Sequence, residues 1–198
     1  MLHFLRPLLL SGLLLLTFGF GFPGLIWAIG QLAPQRAAGS PVLLKGRVVG
    51  FERIGQKFTQ ARYFHGRPSA VDYNGAAPGA SNAGPSNPDF QALVRTRLDT
   101  LLRQNPVLRR DQVPTELVTA SASGLDPDLS PAGAYAQVSR VAAARRVPPA
   151  QVQALVDNLT ERPYLGFMGP PHVSVLRLNL AMDTQRLQPK LRLSGIVH

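Results

Sequence analysis

Residues 7–35 carry no charged side chain, and residues 8–32 form the apolar heart of that run. At 1.5 Å rise, 25 residues extend ~37 Å, which crosses a hydrocarbon core of about 30 Å with some tilt. A secretory leader has a shorter apolar region and then a small-x-small cleavage site, and no convincing site is present here. The pattern predicts an uncleaved transmembrane helix kinked at Pro23, with Gly19, Gly21 and Gly24 leaving room for a neighbouring helix. The chain then divides into a tail at 1–6, a transmembrane helix at 7–35, a linker at 36–41, one small soluble domain at 42–183 and a loose polar tail at 184–198.

Past the linker the pattern alternates between short apolar runs and helical spacing. VLLKGRVVGF at 42–51 mixes β-branched residues with Gly46 and Gly50, predicting a strand with a bend or bulge. Residues 71–87 are rich in Gly, Ala, Ser, Asn and Pro and predict an irregular loop, long enough to be functional or mobile. Asn87-Pro88-Asp89 opens a helix with an N-cap, a proline at N1 and an acid in the first turn. Phe90, Leu93, Val94, Leu98, Leu101 and Leu102 form its expected buried stripe, with Asp99 flanked at i±4 by Arg95 and Arg103 on the outer face. Asn105-Pro106 ends it. A strand is expected near 117–120, then a turn of small residues, then a helix capped by Ser130-Pro131 and running to about Arg146. Tyr135, Val138, Val141 and Ala142 give that helix its inner face, while Gln137, Arg140 and Arg145 are expected to point elsewhere.

Pro148-Pro149 starts a third helix with Val152, Leu155, Val156 and Leu159 on one side, closed by Arg162-Pro163. Val173, Val175, Leu178, Leu180 and Met182 show mostly period-two spacing and favour a strand. Leu176 disturbs the alternation and leaves a short helix open. Three amphipathic helices with a few strands make the fold class α+β: a single N-terminal transmembrane helix followed by one small mixed domain.

Composition narrows the chemistry. The absence of cysteine excludes disulfides, thiolate metal sites and thiol nucleophiles. The formal charge of +10 comes from arginines scattered along the chain, with no nucleic-acid motif or aromatic platform beside them. Solvated arginines, or a basic face meeting anionic lipid headgroups or an acidic partner subunit, suit that distribution; nucleic acid does not. Ser121, Ser123, Asp126 and His172 would be needed for a serine hydrolase, but Ala-Ser-Ala-Ser-Gly is not a nucleophile elbow. Asp126 and Asp128 lack the further carboxylates of a calcium loop and fit turn formation better. His65 has no ligand-spaced companion, so no metal site is expected. Neither a Walker A lysine loop nor an aspartyl-phosphate motif occurs.

The run TASASGLDPDLSPAGAYAQVSRVAAAR resembles the central stretch of the C subunit of the Kdp potassium-transporting P-type ATPase. YFHGRPSA at 63–70, Ser81-Asn82 with Asn87-Pro88, and VSVLRLNLAMD at 173–183 match the same family in the same order. With the anchor they cover nearly the whole chain up to Asp183. Pro78-Gly79-Ala80 departs from the consecutive glycines more usual there.

The resemblance implies a non-catalytic accessory subunit that assembles with a channel-like potassium subunit, an ATP-hydrolysing P-type subunit and a small single-helix subunit. Such a subunit acts as a catalytic chaperone that raises the pump subunit's ATP affinity. Potassium is the ion of the complex, and no cofactor is bound tightly; ATP is met, if at all, through the complex. The family's suggested nucleotide stretch corresponds to Ser121, Ser123, Gly124 and Asp126, together with Gln137, as ATP or partner contacts. Arg67, Asn74, Ser81, Asn82 and Asn87 fall in the expected partner-facing loop, and Arg67 suits an ion pair or carbonyl clamp. His3 and Arg6 lie before the anchor and Arg36, Lys45 and Arg47 after it, so charge counting does not orient the chain. The resemblance implies the cell inner membrane, a cytoplasmic N-terminus and an extracytoplasmic domain. The alternative from another class is a membrane-tethered extracytoplasmic module that binds a small polar ligand in the long loop.

Overall fold

The computed structural model describes residues 2–185 and separates into two units, 1–51 and 52–198. In the first unit α1 (Leu2–Leu16) and α2 (Phe22–Gly30) are joined by one wide π turn, Thr17–Gly21. Pro23 has no N–H to give and its ring crowds the carbonyl four residues back, that of Gly19. The wide turn ends where the N–H of Phe22 bonds Thr17 O, so the proline expected to kink the helix coincides with a register change. Phe4–Gly30, 27 residues, is long and apolar enough to cross a bilayer, and none of its most apolar window is buried within the chain.

After the short helix α3 (Pro34–Ala37) come β1 (Pro41–Leu44) and β2 (Arg47–Phe51), paired antiparallel. The one strand expected at 42–51 is therefore a hairpin. Lys45 (φ 51°) and Gly46 (φ 76°) both take left-handed backbone at its turn, which matches the twist of the flanking strands. The expected bulge is also present, between Val42 and Leu43.

The core of the second unit is built on four helices. A helix pair, α5 (Pro131–Tyr135) and α6 (Val138–Arg145), leads to α7 (Pro149–Leu159), and α5, α6 and α8 (Val175–Gln185) each pack against α7. A small antiparallel sheet, in the order β3 (Asp128–Leu129), β5 (His172–Ser174), β4 (Thr160–Glu161), caps them. Phe64, Leu129, Val141, Val152, Val156, Val173 and Leu178 form the core, each at most 2% exposed. The α+β architecture read from the sequence is present, with helices dominant.

Several local readings hold. Asn87 caps α4 (Pro88–Gln104) by accepting from the N–H groups of Asp89 and Phe90, and Ser130 caps α5 by accepting from Gly133 N at 3.1 Å. Residues 71–87 contain no helix or strand. Other readings are corrected. The strand expected at 117–120 is absent; Thr115–Leu117 is a 3-10 turn, and the nearest strand, β3, follows the small-residue turn instead of leading into it. The helix expected from Pro131 to Arg146 breaks at Ala136-Gln137. The stretch after Ser174 is α8, and it carries helix through residues 184–185 of the expected tail; residues 186–198 lie outside the described residues. The stripe of α4 is not buried: Leu93 is 44% exposed, and of that stripe Leu101 packs against the core. Arg103 donates to Thr100 Oγ1 rather than pairing with Asp99.

Candidate functional site

The site is organised by one segment without helix or strand, residues 61–67, which opens on a turn at 61–62 and pairs with no strand. Its backbone groups need partners as much as any strand's, and side chains supply them. The Asn179 amide brackets Phe64, accepting from its N–H at 2.8 Å and donating to its carbonyl at 3.0 Å. The Gln137 amide does the same for His65, at 2.8 and 3.0 Å. Arg140 donates to the carbonyls of Ala61 (2.6 Å) and Tyr63 (2.9 Å), and also to Gln137 Oε1 (2.7 Å). Arg145 donates to the carbonyls of Arg62 and Met182 and faces Asp183 at 2.9 Å, its guanidinium over the Tyr63 ring.

Gln137, Arg140 and Arg145, expected to point away, are thus buried, while Tyr135, expected inside, is 39% exposed and bonds Asp157 through its hydroxyl. Arg140's acceptors are all neutral oxygens, and burial pushes its pKa down to about 10. His65 is depressed mainly by burial and then by Arg140, and its ring nitrogen meets Gln60 O at 3.1 Å. The sequence held a signal for this. Arg145 lies four residues after Val141 and seven after Val138, on the buried stripe itself, but residue type overrode spacing.

Held by this grip, the rest of the motif meets the small-residue turn. Arg67 donates to Asp126 Oδ2 at 3.0 Å and to Ala120 O at 3.4 Å, the ion pair and carbonyl clamp its fork suited. Ser121 N donates to Pro68 O, and Gly79 N to Ser123 O at 2.9 Å. Gly124 sits at φ 69° between the two stretches; a Cβ there would lie 2.6 Å from Val71 Cγ2 and 2.8 Å from Gly79 O. Loop and turn are therefore locked together, and Gly124 is the residue that lets them close.

This locking spends groups that a phosphate would need. Gly124 N already donates to Ser121 Oγ, Leu125 N to Ser123 Oγ, and Asp128 N to Asp126 Oδ1. Ser121, Gly124 and Gln137 are buried; Ser123 is exposed, and Asp126 is half-buried against Arg67. In the 71–87 loop Asn74, Ser81, Asn82 and Asn87 are all exposed. Asn74 accepts from Ala76 N and Asn87 is spent on its cap, so their side chains shape the loop as well as its surface. Beside the lock a cavity of about 380 Å³ is bordered by Lys57, His65, Arg67, Asp72, Tyr73 and Arg97.

Tyr73 lines that cavity and donates its hydroxyl to Arg67 O at 2.5 Å. Burial, followed by the charges of Asp126 and Asp72, pushes its pKa up to about 12. The folded form thus holds the phenolic proton more tightly than the unfolded chain, whose tyrosine titrates near 10. The linked stability is whole below about pH 10 and is lost as pH rises to about 12. Denaturation midpoints at pH 9 and pH 11.5 should show this fall in the wild-type chain and a smaller one in Tyr73→Phe. Equal falls in both would place the alkaline sensitivity elsewhere.

Against known proteins, residues 4–184 match the family model described as KdpC: K+-transporting ATPase, c chain. A potassium-transporting ATPase KdpC subunit of Sorangium cellulosum is 50% identical, covering 94% of this chain and 100% of that relative. Relatives of the same description from Nitratidesulfovibrio vulgaris (48%; 92% of this chain, 95% of the relative) and Flavobacterium psychrophilum (47%; 88% and 94%) are as similar.

Proposed function

This chain belongs to the KdpC family of K+-transporting ATPase subunits, and on that premise we propose that it is a non-catalytic accessory subunit which assembles and stabilises the channel-like and ATP-hydrolysing subunits of the pump. The observation that carries the reading is the lock between the 67–79 stretch and the 120–126 turn. It presents the exposed, uncharged Ser123 hydroxyl and Asn74 amide on backbone already bonded before any partner arrives, with Ser81 and Asn82 exposed just beyond it. Preorganised polar surfaces bind with less ordering cost than mobile loops.

The same subunit raises the pump subunit's apparent affinity for ATP as a catalytic chaperone. It does so by gripping one conformation of the complex more tightly than another, which shifts the equilibrium without touching nucleotide. Direct ATP contact is the weaker route, because the backbone N–H groups of Gly124 and Leu125 suited to phosphate already donate to Ser121 and Ser123 Oγ, and Asp126 brings a negative charge. The N-terminus lies in the cytoplasm, one helix crosses the inner membrane, and the lobe stands outside, where a small single-helix subunit and lipid are further neighbours.

The chain lacks cysteine, so Ser123→Cys introduces a single reporter. In intact cells a membrane-impermeant maleimide should label it, alongside an outer-facing control. Labelling only after permeabilisation would put the lobe with ATP and reverse the mechanism. Purification through a tag on this chain should bring the channel-like and ATPase subunits, and pump complexes lacking it should need more ATP for half-maximal turnover. An unchanged ATP requirement removes the chaperone role.

A further inference from the structure

Residues 1–51 contain no acidic side chain; Glu52 is the first in the chain. The Lys and Arg side chains of the first unit are Arg6 before the apolar helix, and Arg36, Lys45 and Arg47 after it. The last three are exposed, and none of them is in an ion pair among the described residues.

These cations are held near the end of the apolar helix. The connection after α2 bonds back on itself, with Ala33 N on Gly30 O at 3.0 Å and Ser40 N on Gln35 O at 2.8 Å. The short helix α3 folds against the last turn of α2: a Cβ on Gly30 would lie 3.5 Å from the Cβ of Ala37. Pro41 is four residues beyond Ala37 and so within about 14 Å of it, which roots the hairpin β1–β2 beside the helix end. Trp27, in that last turn, is 69% exposed, an aromatic where a spanning helix meets the headgroups. The hairpin itself adds an apolar pair. Leu43 and Val48 are cross-strand partners, so their side chains share one face, and they are 61% and 55% exposed. Lys45 and Gly46 make the turn beyond them, and Arg47 follows. Apolar side chains flanked by Lys and Arg are the composition of an interfacial segment.

We propose that the hairpin at 41–51 lies on the bilayer that the N-terminal helix crosses, with Arg36, Lys45 and Arg47 on anionic phospholipid headgroups and Leu43 and Val48 at the edge of the acyl chains. The proposal rests on the reading of that helix as membrane-spanning. Lipid is favoured over a protein partner by proximity and by sign. A protein interface gains its register from a pattern of charges, whereas a field of one sign recognises a surface that has no register. The chain's own end is not a complementary occupant either, since residues 186–198 carry Arg186, Lys190 and Arg192 and no acid.

The test uses the full chain in lipid nanodiscs, with a fluorophore on Val48→Cys and a nitroxide quencher on the lipid headgroup. The label should be quenched in phosphatidylcholine mixed with phosphatidylglycerol. In phosphatidylcholine alone the ratio of seated to free hairpin should be lower by about 10-fold or more. Lys45→Asn combined with Arg47→Gln should bring the anionic discs to that same low level; asparagine before Gly46 keeps the left-handed turn, so the hairpin persists. Equal quenching in both lipids, or none in either, overturns the proposal. In native membranes Val48→p-benzoylphenylalanine should photolyse to a lipid adduct, and an adduct with a pump subunit instead overturns it too. If alkaline carbonate strips the wild-type chain from membranes, the membrane-spanning reading falls and the hairpin's role with it. If the chain stays in the membrane and the label is unquenched, only the hairpin's role falls.

Discussion

Arg140→Met will destabilise the lobe by about 3–5 kcal/mol, the cost of removing the one guanidinium that ties the 61–63 carbonyls to Asn105 and Gln137. The carbonyls of Ala61 and Tyr63 and the side-chain oxygens of Gln137 and Asn105 all accept from this one guanidinium. Methionine restores the apolar stem and keeps helix propensity, so the loss isolates the head group. Removing a buried charge returns part of its desolvation cost, which is why the expected figure is below the sum of the separate bonds. For a domain of ordinary stability the loss is a large fraction of the total, and the melting temperature should drop on the order of 10 °C.

Arg140→Lys should recover less than half of it, since one ammonium cannot span carbonyls on both sides of Arg62 and an amide besides. Circular dichroism melts of the detergent-solubilised full chain read the result. A shift of a degree or two for Arg140→Met would mean that the 61–67 segment is held by its apolar contacts, Phe64 above all.

Gly124→Ala carries the second large effect and separates stability from assembly. Two costs add. Alanine at φ 69° takes a left-handed backbone, and its Cβ would lie 2.6 Å from Val71 Cγ2 and 3.2 Å from Ser69 Oγ. Together they destabilise by about 2–4 kcal/mol if loop and turn stay closed. If they part instead, most of that cost is relieved and the lock opens, losing the bond from Gly79 N to Ser123 O.

With the lock open the fixed polar surface is lost, so co-purification of the pump subunits should fall more steeply than the thermal midpoint does. Gly75→Ala in the same loop is the control, because nothing lies within 4 Å of a Cβ there; it should stay within about 0.5 kcal/mol of wild type. Full recovery of the subunits with Gly124→Ala would show that the turn and loop are not the partner surface.

Local chemistry decided where the helices begin. The caps at Asn87 and Ser130 and the prolines at 88, 131 and 149 act within a turn of the backbone they terminate, so the sequence states them outright. The long apolar N-terminal helix is equally legible, because its length and lack of charge can be read directly from the chain. Family membership was legible too, carried by the central run. The hairpin at 41–51 was missed because Lys45-Gly46 was read as a bend, although a two-residue turn ending in glycine is a reversal signal.

The misread helix at 175–185 has a different origin. Val175, Leu176, Leu178, Asn179 and Met182 are all buried, a helical pattern once Asn179 is counted as interior. Counted as polar, Asn179 broke that pattern and left an apparent alternation. The same error put Gln137, Arg140 and Arg145 outside.

By itself, then, the chain determined its long apolar N-terminal helix, its helix starts, its irregular loop and its family. Only the tertiary structure decided which polar side chains face inward, because that depends on a segment 72 to 115 residues away in sequence, whose carbonyls and amides need partners. A buried amide or guanidinium is stable only when a distant backbone satisfies it, and no local periodicity contains that backbone.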